Sequence, residues 1–297
     1  MPLKNAKALL IINPKAGVQA AKTNFYQIIS TLSEKYDLTV HITEYSGDAR
    51  DTARDASDFD IIICCGGDGT VSQTLEGLKE IDKTVTIGYI PAGTTNDLAT
   101  ALGIPKNVLN ATKKIVSGTP YPHDIASFNE DRRFVYTASF GIFAATSYET
   151  PQNFKNIFGH FAYILAGIPE ITRVKDYKVS VEYDDGSEDF DDVILFSLLN
   201  TTSVGGILKL PSDHVSFSDG KFEAMIIRRP ANLIELNELI NALSKGTFKN
   251  KNLTIIQSSS FDIKIDGGAP WTIDGESAGT HSEVAVKCLP DAIKIIK

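Results

Sequence analysis

The sequence predicts an α/β domain followed by an all-β domain, and three observations carry that prediction. Before residue 100, apolar runs end abruptly in glycine turns that lead into helix-favouring segments. Ile61 to Cys65 runs into Gly66-Gly67-Asp68-Gly69-Thr70, and Ile87 to Ile90 into Pro91-Ala92-Gly93-Thr94-Thr95-Asn96-Asp97. Strands alternating with helices in this way form right-handed βαβ units and a parallel sheet. After residue 123 the texture changes to short strand-like runs separated by turn residues, the pattern of an antiparallel β-sandwich. Third, Thr119-Pro120-Tyr121-Pro122-His123 is a stiff connection between the two textures. It sets the expected domains at 1–122, rejoined by 289–297, and 123–288.

The 297 residues, 42% hydrophobic and 22% charged, suffice for two cores. A net charge of -8 argues against a nucleic-acid partner and against a strongly basic membrane-facing surface. Cys64 and Cys65 sit inside an apolar run and read as small buried hydrophobes. With Cys288 they make no disulfide framework, which fits a reducing cytosol. The apolar run Leu9 to Ile12 is far too short for a signal peptide, and no stretch is long enough to span a bilayer. The expected location is cytoplasmic.

Taken in order, Ala8 to Ile12 is a first buried strand, turning at Asn13-Pro14-Lys15-Ala16-Gly17 into a helix from about Ala20 to Tyr36. Leu38 to Thr43 is a second strand, and Tyr45 to Ala49 leads into a short helix through Asp58. At Gly66–Thr70 the apolar strand meets a helix expected from Val71 to Leu78. Glycines let a backbone approach a phosphate, and the unpaired N–H groups of a first helical turn point at it. A carboxylate there would repel a bare phosphate, so Asp68 fits a ligand, direct or through water, for a cation such as Mg²⁺ travelling with the phosphates. The second loop repeats the design, and the two together would offer Asp68, Asp97, Thr70, Thr94 and Asn96 to one crevice. Read alone, Gly66-Gly67-Asp68-Gly69 could equally be a plain turn.

Gly103 to Ser117 reads as a packing helix with Pro105 near its first turn. Strands follow at Phe134–Phe140, Tyr177–Tyr183, Val193–Leu199, Phe222–Ile227, Leu253–Ile256, Phe261–Ile265 and Val284–Cys288. The helical excursion Asn153 to Ile168 places Phe154, Ile157, Phe158, Phe161, Leu165 and Ile168 at helical spacing, as a core-packed face or a lipid-facing one. Ala231 to Leu243 is an amphipathic packing helix. Asp274-Gly275-Glu276 beside an apolar strand reads as a hairpin turn or as a chemical motif, and Ala292 to Ile296 as a final strand returning to the first domain.

The run Pro91-Ala92-Gly93-Thr94-Thr95-Asn96-Asp97-Leu98-Ala99, with Gly66-Gly67-Asp68-Gly69-Thr70, resembles the diacylglycerol-kinase catalytic-domain family of bacterial lipid kinases, over nearly the whole chain. The resemblance implies an NAD-kinase/diacylglycerol-kinase-like three-layer parallel-sheet domain for nucleotide and a C-terminal β-sandwich for the lipid. It implies ATP at Asn13, Pro14, Lys15, Ala16 and Gly17, at Thr43, at Gly66, Gly67, Asp68, Gly69 and Thr70, and at Gly93, Thr94 and Asn96. Asp68, Asp97 and Asp124 would form the catalytic Mg²⁺ network, and Glu276 would be the base with Asp274 orienting the site. A structural Mg²⁺ is implied in the loop of Ser216, Asp219 and Lys221, with Ser216 and Lys221 contributing carbonyl oxygens. Asn200 to Gly206 and Gly159 to Gly167 also resemble family segments. The lipid would be met peripherally, through transient association at the inner face of the membrane, and relatives are often homodimers.

The chain departs from the family pattern at Val18 and Ala166, where relatives often carry lysine, and at Ser72 and Gln73, where they often carry Asn-Glu. A P-loop kinase is excluded by the absence of Gly-x-x-x-x-Gly-Lys-Ser/Thr. Two alternatives stay open: an NAD kinase-like enzyme, and a nucleotide-binding regulator with little catalytic activity.

Overall fold

In the computed structural model the described residues are 6–16, 23–78, 84–94, 96–142, 175–200, 203–204, 208–209, 216–247 and 249–297. Gly17, Val18, Thr95, the expected helix 153–168 with Ala166, Gly205, Gly206 and the segment 211–215 lie outside them, as does the side chain of Asp97. The chain divides into two compact units, Met1–Ile125 with Asp291–Lys297, and Ala126–Pro290.

The strands are β1 (Ala6–Ile12), β2 (Tyr36–Ile42), β3 (Ile61–Gly66), β4 (Val85–Pro91), β5 (Pro120–Phe128), β6 (Arg132–Phe134), β7 (Thr137–Gly141), β8 (Tyr177–Tyr183), β9 (Gly186–Leu199), the two-residue β10 (Ser203–Val204) and β11 (Leu208–Lys209), β12 (Phe222–Arg228), β13 (Leu253–Ser258), β14 (Ser260–Ile273) and β15 (Glu276–Ile296). The helices are α1 (Phe25–Ser33), α2 (Asp48–Arg54), α3 (Asp68–Gly77), α4 (Asp97–Ala101), α5 (Val108–Ser117) and α6 (Leu233–Lys245).

In the first unit β1 pairs in parallel with β2 and β3, and β3 with β4. The C-terminal end of β15 adds a further parallel pair, Ile293–Ile295 against β4. These strands read as continuous apolar runs because both faces are covered. Ala8, Leu10, Ile12, Ile61, Ile63 and Cys65 join Ile28 and Leu32 of α1 and Val108 and Ile115 of α5 in one buried cluster. Cys64, on the alternate face, donates its Sγ–H to Thr74 Oγ1 of α3 at 3.4 Å. On that side Gly77 lets α2 and α3 touch: a Cβ there would lie 2.2 Å from the Arg50 carbonyl oxygen.

The second unit is antiparallel, with the order β13-β12-β9-β7-β14-β15. Long β9 and β14 each pair with β8 through one half and with β7 through the other. Both halves face one apolar cluster, so Val181, Phe190 and Phe261 share a core with Phe140, Phe196 and Trp271. Phe140 stacks on Phe196 at 5.3 Å, and Trp271 meets Phe140 edge-on at 4.8 Å, the geometry favoured by ring quadrupoles. On the other face α6 lays Leu236, Leu239 and Leu243 over Leu195, Met225, Ile227 and Leu253. Asn232 caps that helix by accepting from the N–H groups of Ile234 and Glu235.

Several elements differ from expectation for local reasons. The helix expected from Gly103 begins at Val108, capped by Asn107 through the Asn110 N–H, so Pro105 precedes it. Asp68, Gly69 and Thr70 form the first turn of α3 and are not part of a free loop. The stiff stretch around Pro120 and Pro122 lies within β5. The run Phe134–Phe140 is two strands, broken at Val135 and Tyr136, whose N–H groups bond the Asp274 carboxylate. The last two expected strands are one, β15, which continues through Pro290.

Candidate active site

Three turns at the C-terminal ends of parallel strands meet in the first unit. Asn13 follows β1; its N–H donates to the Cys65 carbonyl at 2.9 Å, and its Nδ2 reaches Thr70 Oγ1 at 3.3 Å. Its Oδ1 accepts the Lys15 N–H at 2.9 Å, which shapes the turn that includes Pro14 and Ala16. The Thr70 side chain folds back over Gly66, where a Cβ would fall 2.4 Å from Oγ1. The second and third turns touch backbone to backbone, for a Cβ on Gly93 would sit 2.5 Å from Gly67 Cα. Glycine at 66 and 93 is therefore a requirement of close approach.

Gly67 is the N-cap residue of α3 and makes no side-chain cap, so the first-turn N–H groups of this ten-residue helix are not covered by a capping side chain. A helix start of this kind favours anionic oxygen. Thr94 is exposed beside it. Asn96 is buried in the left-handed region at φ 51°, and its amide closes on Gly93 from both sides. The Gly93 N–H donates to Oδ1 at 2.9 Å, and Nδ2 donates to the Gly93 carbonyl at 2.8 Å. Asn96 thus sets the shape of the Gly93 turn.

Asp68 stands half-buried at the start of α3, and its Oδ1 accepts the Leu98 N–H of α4 at 3.1 Å. Tyr89 of β4, only 1% exposed, brings its hydroxyl within 3.3 Å of Asp68 Oδ1 and 3.2 Å of Asn96 Oδ1. Sequence reasoning missed Tyr89, although a phenol in a buried strand four residues before Gly93 is a visible signal. Thr43 is buried after β2, its N–H bonded to the Ile12 carbonyl. Asp124 is fully buried on β5 and accepts the Asp291 N–H at 2.8 Å. Asp97 opens α4. Cys64 and Cys65, behind the glycine turn, have thiols pushed up to about 12 by burial and are chemically inert.

In the second unit Asp274 and Gly275, at φ 48° and 87°, form the two-residue turn between β14 and β15. The Asp274 carboxylate, 5% exposed, accepts three backbone N–H groups: Val135 at 2.9 Å, Tyr136 at 3.1 Å and Thr137 at 3.0 Å. This geometry is a hairpin turn whose first residue also holds the 135–137 backbone. Glu276, half-buried, is the first residue of β15. Beside Asp274 lies a hydroxyl cluster that no motif announced: Ser139 Oγ is 2.6 Å from Ser197 Oγ, with Thr137 Oγ1 at 3.0 and 3.2 Å.

Asp219 and Ser216 are exposed; Asp219 Oδ1 accepts the Lys221 N–H at 3.1 Å. Gln257 Nε2 donates to Asp219 Oδ2 at 3.3 Å and to Glu223 Oε1 at 3.1 Å. Burial pushes the Glu223 carboxyl up to about 8, another feature no motif announces. Among the described residues no group of three His, Cys, Asp or Glu side chains could hold a metal ion. The half-buried Asp68 carboxylate is of the ligand type a hard cation such as Mg²⁺ takes, one or two carboxylates with water and substrate phosphates completing its shell. Asp124, by contrast, is fully buried with one oxygen already accepting the Asp291 N–H.

Comparison with known proteins gives this arrangement its place. Residues 7–128 match the model of the diacylglycerol kinase catalytic domain, and residues 137–297 that of the YegS C-terminal NAD kinase beta sandwich-like domain. The diacylglycerol kinase of Bacillus subtilis is 33% identical over 278 residues, spanning 92% of this chain and 90% of that protein. That of Staphylococcus epidermidis is 32% identical over 277 residues, 92% of this chain and 86% of the relative. The crystal structure of a diacylglycerol kinase from Bacillus anthracis superposes with a TM-score of 0.76 at 26% identity, covering 99% of this chain and 97% of that one. A second structure from that organism reaches 0.83 at 27% identity, covering 100% and 96%. The chain belongs to the diacylglycerol kinase family. It is a lipid kinase, and membership of this family implies ATP as donor and a lipid as acceptor. Among the described residues no helix is long and apolar enough to cross a membrane.

Proposed function

We propose that the protein transfers the γ-phosphate of ATP, with Mg²⁺, to the primary hydroxyl of diacylglycerol, giving phosphatidic acid. The observation that carries the nucleotide part is the convergence of the Asn13, Gly66–Thr70 and Gly93–Asn96 turns on the start of α3. The acceptor is assigned from the names of the relatives, each a diacylglycerol kinase.

On this reading residues 1–122, with 289–297, bind nucleotide and 123–288 serve the lipid. A three-layer first unit belongs to it, supported by α1 and α5 sharing one cluster with the strands while Cys64, on the alternate face, bonds α3. Asn13, Pro14, Lys15, Ala16 and Gly17 border the phosphates, with Thr43 beside the nucleotide. The backbone of Gly66, Gly67, Gly69 and Thr70 lies against them, and Gly93, Thr94 and Asn96 close the other side. Asp68, Asp97 and Asp124 would hold a Mg²⁺, largely through water, and that ion would supply neutralisation of the charge developing on the transferred phosphoryl group. Glu276 accepts the proton of the acceptor hydroxyl late in an in-line transfer. Asp274 holds the 135–137 backbone and so fixes the turn that presents Glu276. Ser216, Asp219 and Lys221 hold a second, structural Mg²⁺ in this reading. The protein meets its lipid transiently at the cytoplasmic face of the membrane, as a homodimer.

Phosphorylation of dioleoylglycerol in mixed micelles with Mg²⁺ and ATP tests the proposal. Phosphatidic acid from wild type, falling at least about a hundredfold in Glu276→Ala and Asp68→Ala, is the expected result. Wild type that forms none, while phosphorylating another lipid alcohol, would displace diacylglycerol as the acceptor.

A further inference from the structure

We propose that Tyr89 is a positioning residue of the nucleotide–cation site, its single phenolic proton shared between Asp68 and Asn96 so that the cation-bearing carboxylate and the Gly93 turn keep one fixed relation. The inference rests on the nucleotide assignment above and adds a residue that no motif in the chain announces.

The hydrogen-bond directions follow from the neighbours. Asn96 Nδ2 must face the Gly93 carbonyl and Oδ1 the Gly93 N–H, so the amide orientation is settled by the backbone. Oδ1 can only accept. Ionised Asp68 also only accepts, and its Oδ1 already takes the Leu98 N–H. The Tyr89 hydroxyl, 3.3 Å from one oxygen and 3.2 Å from the other, is the donor they share. A phenol buried to 1% exposure needs such acceptors. Because Tyr89 stands on β4, a central strand of the parallel sheet, its ring is held by the core and not by either turn.

Two bonds converging on the same Asp68 oxygen hold that oxygen in place. Asn96, on the other side of the phenol, fixes the Gly93 turn. Removing the O–H takes away one of the bonds that place the Asp68 carboxylate while leaving that from Leu98. The consequence falls on the cation's contribution to nucleotide binding, not on nucleotide binding as a whole.

The test compares ADP affinity by calorimetry with Mg²⁺ and with EDTA, in wild type and in Tyr89→Phe, which keeps the ring. The expected result is that the Mg²⁺-to-EDTA affinity ratio falls about threefold in Tyr89→Phe, the size of one long, shared hydrogen bond. The KM for diacylglycerol should be unchanged. A purely structural role would lower both affinities alike and leave the ratio intact, and that outcome overturns the proposal. If wild type binds no Mg²⁺·ADP, the nucleotide assignment fails and takes this inference with it. Should Tyr89→Phe not fold, wild type labelled at tyrosine Cζ supplies the second reading. One of its ten tyrosine signals must shift with Mg²⁺·ADP and stay unmoved in Asp68→Asn. No such signal also overturns the proposal.

Discussion

The closest contacts at the site involve single atoms, so single atoms decide its behaviour. Gly93→Ala would place a Cβ 2.5 Å from Gly67 Cα and 2.8 Å from Asn96 Oδ1. Backbone cannot yield there as a flexible side chain would, so we expect ATP affinity to drop at least about tenfold with the remaining fold intact, as calorimetry beside a thermal melt would show. Asp274→Asn keeps a carbonyl oxygen but turns an NH₂ toward one of three backbone N–H donors. The loss of a buried acceptor should cost about 1–3 kcal/mol, read as a lower melting temperature, and slow phosphoryl transfer if Glu276 depends on that turn. The glycine turns were legible in the sequence because close backbone approach demands one residue type. Glu223 and the Ser139–Ser197 contact were not, because the partners come from different strands and leave no spacing to read, and Tyr89 was missed because its partners Asp68 and Asn96 lie on α3 and in the following turn.

Strand β3 and the hairpin after β8 show how much an element's surroundings change its chemistry. Cys64 and Cys65 are fully buried, with thiols raised to about 12, whereas Cys288 is half-buried. A thiol reagent such as Ellman's should therefore titrate one cysteine in the native protein and three after denaturation. At the turn after β8, the N–H and hydroxyl groups of Ser259 and Ser260 bond Asp184 and hold its carboxyl down to about 2. A folded pKa below the unfolded value stabilises the protein above the unfolded pKa, and that contribution is lost as pH falls toward 2. Asp184→Asn should accordingly melt below wild type at pH 7, with the gap narrowing as pH drops below about 4. Helix starts were harder to place than strands: Asn107 and Gly67 set where α5 and α3 begin, and a cap depends on one backbone geometry that periodicity does not record. The length of β15 was hidden because Pro290 reads as a break although the strand passes through it.

At the scale of the whole molecule, the order of textures along the chain was enough to separate a parallel α/β unit from an antiparallel one. Buried parallel strands are apolar throughout, whereas one-sided strands alternate, and Ile61–Cys65 and Tyr177–Tyr183 display the two patterns. The return of the C-terminus to β4 carried no local signal beyond the apolar run at its end, since pairing between residues 85 and 293 is a long-range choice. The proposed function depends on nucleotide lying on the three turns of the first unit. Hydrogen–deuterium exchange of the full chain, with and without Mg²⁺ and a non-hydrolysable ATP analogue, reads this out segment by segment. Slowed exchange is expected at residues 13–16, 66–71 and 92–98 on adding nucleotide. Nucleotide binding that leaves those three segments unprotected and slows exchange elsewhere would contradict it.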